Sequence, residues 1–157
     1  MEKVNEKNIW NNLESVLFVI NYDSIDSITE YKKAIKLVNL NIHNCIILAI
    51  VKTKKEKKLI PKQYNVVFIS DQEFNLFGII KNEEVRNISS RTYDMVLFTT
   101  DVSKKILKLL KKTNKKMSVG LNTNFSGHDI TLKIETNLPS KLINFTKETL
   151  EKILYYG

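Results

Sequence analysis

Catalysis or metal binding would have to draw on few residues in this chain: two histidines, His43 and His128, one cysteine, Cys45, and four glycines. The histidines are too far apart to form a helical ligand pair, and with a single cysteine neither a disulfide framework nor a thiolate zinc site is available. Cys45 opens the apolar run Cys45-Ile46-Ile47-Leu48-Ala49-Ile50-Val51, the setting of a buried inert thiol rather than an activated nucleophile. No Gly-x-Ser-x-Gly elbow presents a serine. None of Gly78, Gly120, Gly127 and Gly157 stands between the first strand and the first helix, where a phosphate loop or a dinucleotide fingerprint must lie. No catalytic residue, metal or cofactor is assigned on these grounds, and whether the protein is an enzyme is left open.

Two groups of polar residues could still bind something. Asn21, Asp23, Thr99, Thr100, Asp101, Asn122 and Asn124 all follow apolar runs that read as strands, and His128 could lie near them. If those strands are parallel, their carboxyl ends converge where open α/β sheets take ligands, and neutral or acidic groups suit a polar metabolite better than a phosphate. Capping and turn formation are the commoner occupations of such residues. The second group is basic. Formal net charge is +8, and 13 of the 25 basic residues fall in two segments, 52–62 and 104–116. Lys52, Lys54, Lys55, Lys57, Lys58, Lys104, Lys105, Lys108, Lys111 and Lys112 would form an anion-binding surface if both segments flank one edge of the sheet. Nucleic acid, a ribonucleoprotein or an acidic protein is the partner such a surface would take. Only Arg86 and Arg91 are arginine, which weakens base-specific recognition, and lysine-rich helical faces are often merely solvated.

The elements that must position these residues are organised around Tyr93 to Leu121. Asp94 to Thr99 reads as a strand, Val102 to Thr113 as a helix with a stripe of Val102, Ile106, Leu109 and Leu110, and Met117 to Leu121 as a second strand. Apolar strands bracketing one amphipathic helix are what a parallel crossover needs. Val16-Leu17-Phe18-Val19-Ile20 and Cys45 to Val51 are further buried strands. Asn65 to Ser70 is another, its orientation left open because the charged link before it reads as an exposed loop. Ile130, Leu132 and Ile134 alternate with polar residues, as in a half-exposed edge strand. Ile9, Trp10 and Leu13 suit a short N-terminal helix, and Ile28, Tyr31, Ile35 and Val38 mark a helix for which Ser27 and Glu30 have capping-box spacing. Asn82 is placed to cap a helix through Ile88, and Asp101 the helix after it. Phe74, Leu76, Phe77, Ile79 and Ile80 are expected to fold back onto the core, with Gly78 easing the turn. Pro139 and Ser140 open a final apolar-faced helix.

The expectation is one α/β domain over residues 1–157, a three-layer sandwich with a mostly parallel, Rossmann-like sheet of about six strands. No apolar run approaches the length of a membrane span, and the N-terminus lacks a secretion signal, so a cytoplasmic protein is expected. An exposed apolar patch, with Tyr155 and Tyr156 as candidates, would mark a subunit of a larger assembly.

The segments Phe18-Val19-Ile20-Asn21-Tyr22-Asp23, Phe74-Asn75-Leu76-Phe77-Gly78-Ile79-Ile80-Lys81-Asn82, Tyr93-Asp94-Met95-Val96-Leu97 and Ser118-Val119-Gly120-Leu121 together resemble an uncharacterised family of small α/β proteins found in Bacteroidota. That resemblance implies a fold and no functional residues. Tyr93 to Leu97, the helix after it and Val119-Gly120-Leu121 are also similar to the N-terminal half of heptosyltransferase-type sugar transferases, which bind their nucleotide sugar with a second domain absent from this chain.

Overall fold

The computed structural model describes residues 8–154, so Tyr155 and Tyr156 lie outside the described residues. Strands β1 (Val16–Asn21), β2 (Cys45–Val51), β3 (Val66–Ser70), β4 (Thr92–Phe98), β5 (Asn114–Leu121) and β6 (Ile130–Leu132) form a single sheet in the order β3-β2-β1-β4-β5-β6. Every neighbouring pair is parallel, with Val16 of β1 registered beside Cys45 on one side and Met95 on the other. β3, whose direction the sequence left open, is therefore parallel. Helices α1 (Ile25–Leu37), α2 (Lys54–Lys58), α3 (Glu83–Ser89), α4 (Lys104–Lys112) and α5 (Pro139–Glu151) make the connections and the closing layer.

Alternation along β1 shows why a continuous apolar run is required. Val16, Phe18 and Ile20 enter one core with Ile28, Tyr31 and Ile35 of α1 and Leu142, Ile143 and Leu150 of α5. Leu17 and Val19 enter the other with Val85 and Ile88 of α3 and Ile106 and Leu110 of α4. A strand buried on both faces can carry no polar residue on either, and each such side chain contributes about 1.5–3 kcal/mol relative to exposure. β6, at the edge, is half exposed, as its alternation predicts.

Several local expectations are corrected. The link after β2 is not a loop: Thr53 Oγ1 accepts from Glu56 N (3.1 Å) and caps the five residues of α2, so a hydroxyl at the right offset substitutes for an apolar face. The capping box of α1 is formed by Ser24 and Ser27, not Ser27 and Glu30, because the helix starts at Ile25. Ser103, not Asp101, caps α4, which begins at Lys104. Among the described residues the N-terminal helix is a single 3-10 turn, Trp10–Asn12, with Trp10 buried. Asn82 caps α3 through Val85 N, as expected. Phe74 and Ile80 are buried and joined by an antiparallel bridge, but Leu76, Phe77 and Ile79 between them face solvent.

Candidate functional site

Because the sheet is wholly parallel, every carboxyl end lies on one edge. The chain leaves β1 into α1 on one face and β4 into α4 on the other, so the crevice between β1 and β4 is the switch point of the topology. Asn21 Nδ2 donates to Thr100 Oγ1 across it (2.8 Å). Thr99 donates through both N and Oγ1 to Val19 O (2.9 and 3.1 Å), and Tyr31 OH donates to Thr99 Oγ1 (3.4 Å). Burial pushes the Tyr31 phenol above its ordinary range, opposed by the bond to Thr99 and assisted by Asp23. Asp23 itself is exposed.

Asp101 turns away from α4 towards the loop after β5. Its Oδ1 accepts from Asn124 N (2.8 Å) and Phe125 N (3.3 Å), and its Oδ2 from Asn124 Nδ2 (3.1 Å). Asn122, with φ +55°, accepts from Ile134 N (2.9 Å). The seven polar candidates thus share one edge in three groups: Asn21 with Thr99 and Thr100, Asp101 with Asn124, and Asn122 with the β6 exit. Asp23 stands apart. Most of their hydrogen-bonding capacity is used to hold loops.

Beside Asp101 lies His128, in a pairing with Ser118 that the sequence did not signal. Ser118 Oγ is 2.7 Å from His128 Nδ1, and the imidazole packs between Phe98 and Phe125, centroids 4.7 and 5.1 Å away. Burial holds His128 below its ordinary pKa, opposed by Asp101 and Asp129. The ring rests directly over Gly120, where a Cβ would collide with it and with Thr123 Oγ1, a buried hydroxyl that has no partner among the described residues. A cavity of about 190 Å³ between α4 and this loop is lined by Phe98, Lys111, Ser118, Phe125 and Asp129 among others. A larger cavity, about 520 Å³, is at the opposite, amino edge, where Asp94 and Lys116 pair at 3.2 Å.

One turn bonds to both lysine-bearing helices. Asp71, Gln72 and Glu73, the 3-10 turn after β3, reach the heads of α4, α2 and α3 between them. Asp71 Oδ1 accepts from Ser103 Oγ (2.5 Å) at the head of α4, Gln72 Oε1 from Lys54 N (3.0 Å) at the head of α2, and Glu73 Oε2 from Lys57 Nζ (2.5 Å) and Asn82 Nδ2 (3.2 Å). The two lysine segments therefore flank one short turn on the carboxyl edge. Lys57 is engaged by Glu73, and Lys111 lies over the Phe125 ring, 5.0 Å from its centroid. Lys52, Lys54, Lys55, Lys58, Lys104, Lys105, Lys108 and Lys112 are exposed. The signal for this hub was in the sequence: Ser70 and Glu73 have capping-box spacing, and Ser70 N donates to Glu73 Oε1 at 2.8 Å.

Among the described residues no three His, Cys, Asp or Glu side chains could share a metal ion, and no helix is long and apolar enough to cross a membrane. Residues 1–153 match the model of a family of unknown function (DUF6913). No curated protein matches the chain, sugar transferases included.

Proposed function

Since the chain belongs to that family of unknown function, we propose from its geometry alone that it is a non-catalytic binding domain whose lysine-bearing carboxyl edge engages an anionic partner. The observation that carries this reading is the Asp71-Gln72-Glu73 turn, which bonds to the heads of both α2 and α4, two lysine-bearing helices distant in sequence. Within 52–62 the only acidic residue is Glu56, and within 101–116 the only one is Asp101, whose carboxylate is engaged by Asn124 and Phe125. Lysines without arginines favour attraction to many phosphates or carboxylates over bidentate reading of particular bases. RNA, a ribonucleoprotein and an acidic protein all have the required charge.

The test is binding to heparin and to a labelled RNA oligonucleotide across salt concentration. Affinity should fall steeply with added salt, and Lys54→Glu/Lys55→Glu and Lys104→Glu/Lys105→Glu should each lower it by about tenfold or more at low salt. Absence of affinity for either polyanion at low salt overturns the reading.

A second reading, a polar metabolite at the β1/β4 switch point, is favoured by one observation: Asp23 is exposed after β1 and acts electrostatically on Tyr31, whose hydroxyl donates to Thr99 beside β1. Its test is the Asp23→Asn variant in a thermal-shift screen of polar metabolites, where no ligand stabilising the parent over the variant removes it.

A further inference from the structure

We propose that the loop Asn75–Ile79 is a membrane-docking tip, inserted into the headgroup layer of an anionic bilayer while the lysines of α2 and α4 meet the surrounding lipid phosphates. The proposal rests on the lysine reading above and names the partner of that region.

Leu76 is 101% exposed, Phe77 86% and Ile79 58%. Three large apolar side chains projecting together from one short loop are costly in water and signal an interaction site. The loop has a definite shape. Phe74 and Ile80 close its base as a buried bridge. Asn75 N donates to Ile79 O (2.9 Å) and Gly78 N to Asn75 O (3.0 Å). Asn75 Oδ1 accepts from Phe77 N (2.8 Å) and Ile79 N (3.0 Å), and Gly78 takes the turn at φ +73°. With these four hydrogen bonds already fixing the backbone of the loop, little ordering entropy opposes insertion.

Its position supplies the charge complementarity. The loop follows directly on the Asp71-Gln72-Glu73 turn that holds both lysine-bearing helices, and Lys81 closes it. Leu59, 80% exposed, ends α2 beside Lys58. The loop from Phe74 to Asn82 contains no acidic residue. The acidic side chains nearest in the chain are Asp71 and Glu73 before the loop, engaged by Ser103 and Lys57, and Glu83 and Glu84 after it at the head of α3. The apolar side chains form a projection rather than a groove. A folded partner would need a matching cavity, whereas the boundary between headgroups and acyl chains yields to a small apolar wedge and places phosphates around it, where lysines bind them.

Flotation of the full chain with phosphatidylcholine vesicles, with and without phosphatidylglycerol, tests the proposal, with heparin affinity measured in parallel. The protein should float only with the anionic vesicles. Leu76→Ser/Phe77→Ser, at exposed positions, should keep its circular dichroism and heparin affinity but lose vesicle affinity by about tenfold or more. A Phe77→Trp variant should show a blue-shifted emission component on adding anionic vesicles, over the constant signal of buried Trp10. Heparin binding without vesicle binding overturns the membrane assignment and leaves the lysine reading standing, whereas loss of both overturns both. Vesicle affinity unchanged by the serine substitutions, or RNA affinity weakened by them, also overturns it, the latter placing the loop in a nucleic-acid interface.

Discussion

Ser103 Oγ donates to Asp71 Oδ1 at 2.5 Å while accepting from Ile106 N at 3.3 Å, so one hydroxyl both caps α4 and fastens it to the turn after β3. Ser103→Ala removes both bonds and should lower stability by about 1–2 kcal/mol in urea titrations. Asp71→Ala leaves the cap and removes the tether. It should therefore cost less stability and still reduce heparin affinity, since α4 is no longer held against the turn that positions α2.

Asp94 couples the sheet to the chain before it. Its Oδ2 accepts from Glu14 N (2.6 Å) and Ser15 N (3.1 Å), and Lys116 pairs with Oδ1. Burial alone would raise the Asp94 pKa, but the two backbone donors and Lys116 outweigh it and hold the carboxyl below its ordinary value of 3.8. With a folded pKa below the unfolded one, the stabilisation is fully present above about pH 4–5 and is lost as pH falls through the folded pKa. Asp94→Asn should cost about 1–3 kcal/mol at pH 7 and flatten the acid limb of the stability profile, as read by denaturant titrations between pH 7 and pH 3.

Gly120 and Gly78 are needed for different reasons. A Cβ at Gly120 meets the His128 ring and Thr123 Oγ1 with no change in the backbone required, whereas at Gly78 there is open space but φ is +73°. Gly120→Ala should destabilise by about 1–3 kcal/mol through overpacking and shift the His128 imidazole resonances. Gly78→Ala should cost about 1 kcal/mol through backbone strain and leave His128 unchanged. Equal perturbation of His128 by both variants would contradict the assignment.

Cys45 is buried, and desolvation pushes its thiol up to about 12 despite a backbone hydrogen bond at Val16. A neutral maleimide should leave it unmodified in the native protein and label it at the rate of an ordinary thiol in denaturant. Rapid labelling under native conditions would place the cysteine outside the core.

The layers were legible because two-sided burial forces continuous apolar strands, as in Val16 to Ile20 and Cys45 to Val51, and one-sided burial forces alternation, as in Ile130 to Leu132. Helix starts were less legible. Ser24, Thr53 and Ser103 compete as caps with Ser27 and Asp101, and the winner depends on which residue reaches a free N–H once tertiary contacts are made. Asp101 was the nearer acidic candidate for α4, but backbone donors at Asn124 and Phe125, more than twenty residues away, claim its carboxylate. The pairing of Ser118 with His128 was invisible for the same reason, since only the fold lays the loop after β5 back along that strand. The exposure of Leu76, Phe77 and Ile79 contradicts the rule that large apolar residues in a connection pack inward, and hydrophobicity alone cannot separate a core segment from an exposed tip.

The pairing of β1 with β4 brings Val16–Val19 against Met95–Phe98, and these neighbours are nearly eighty residues apart along the chain. During synthesis β1 gains β2 early, but its other margin stays unsatisfied until most of the polypeptide has emerged. A ribosome-bound intermediate ending before β4 therefore exposes a long, wholly apolar strand edge, the feature that seeds intermolecular association. Truncations before residue 92 should aggregate, and the natural chain should gain most from a chaperone in that interval of translation.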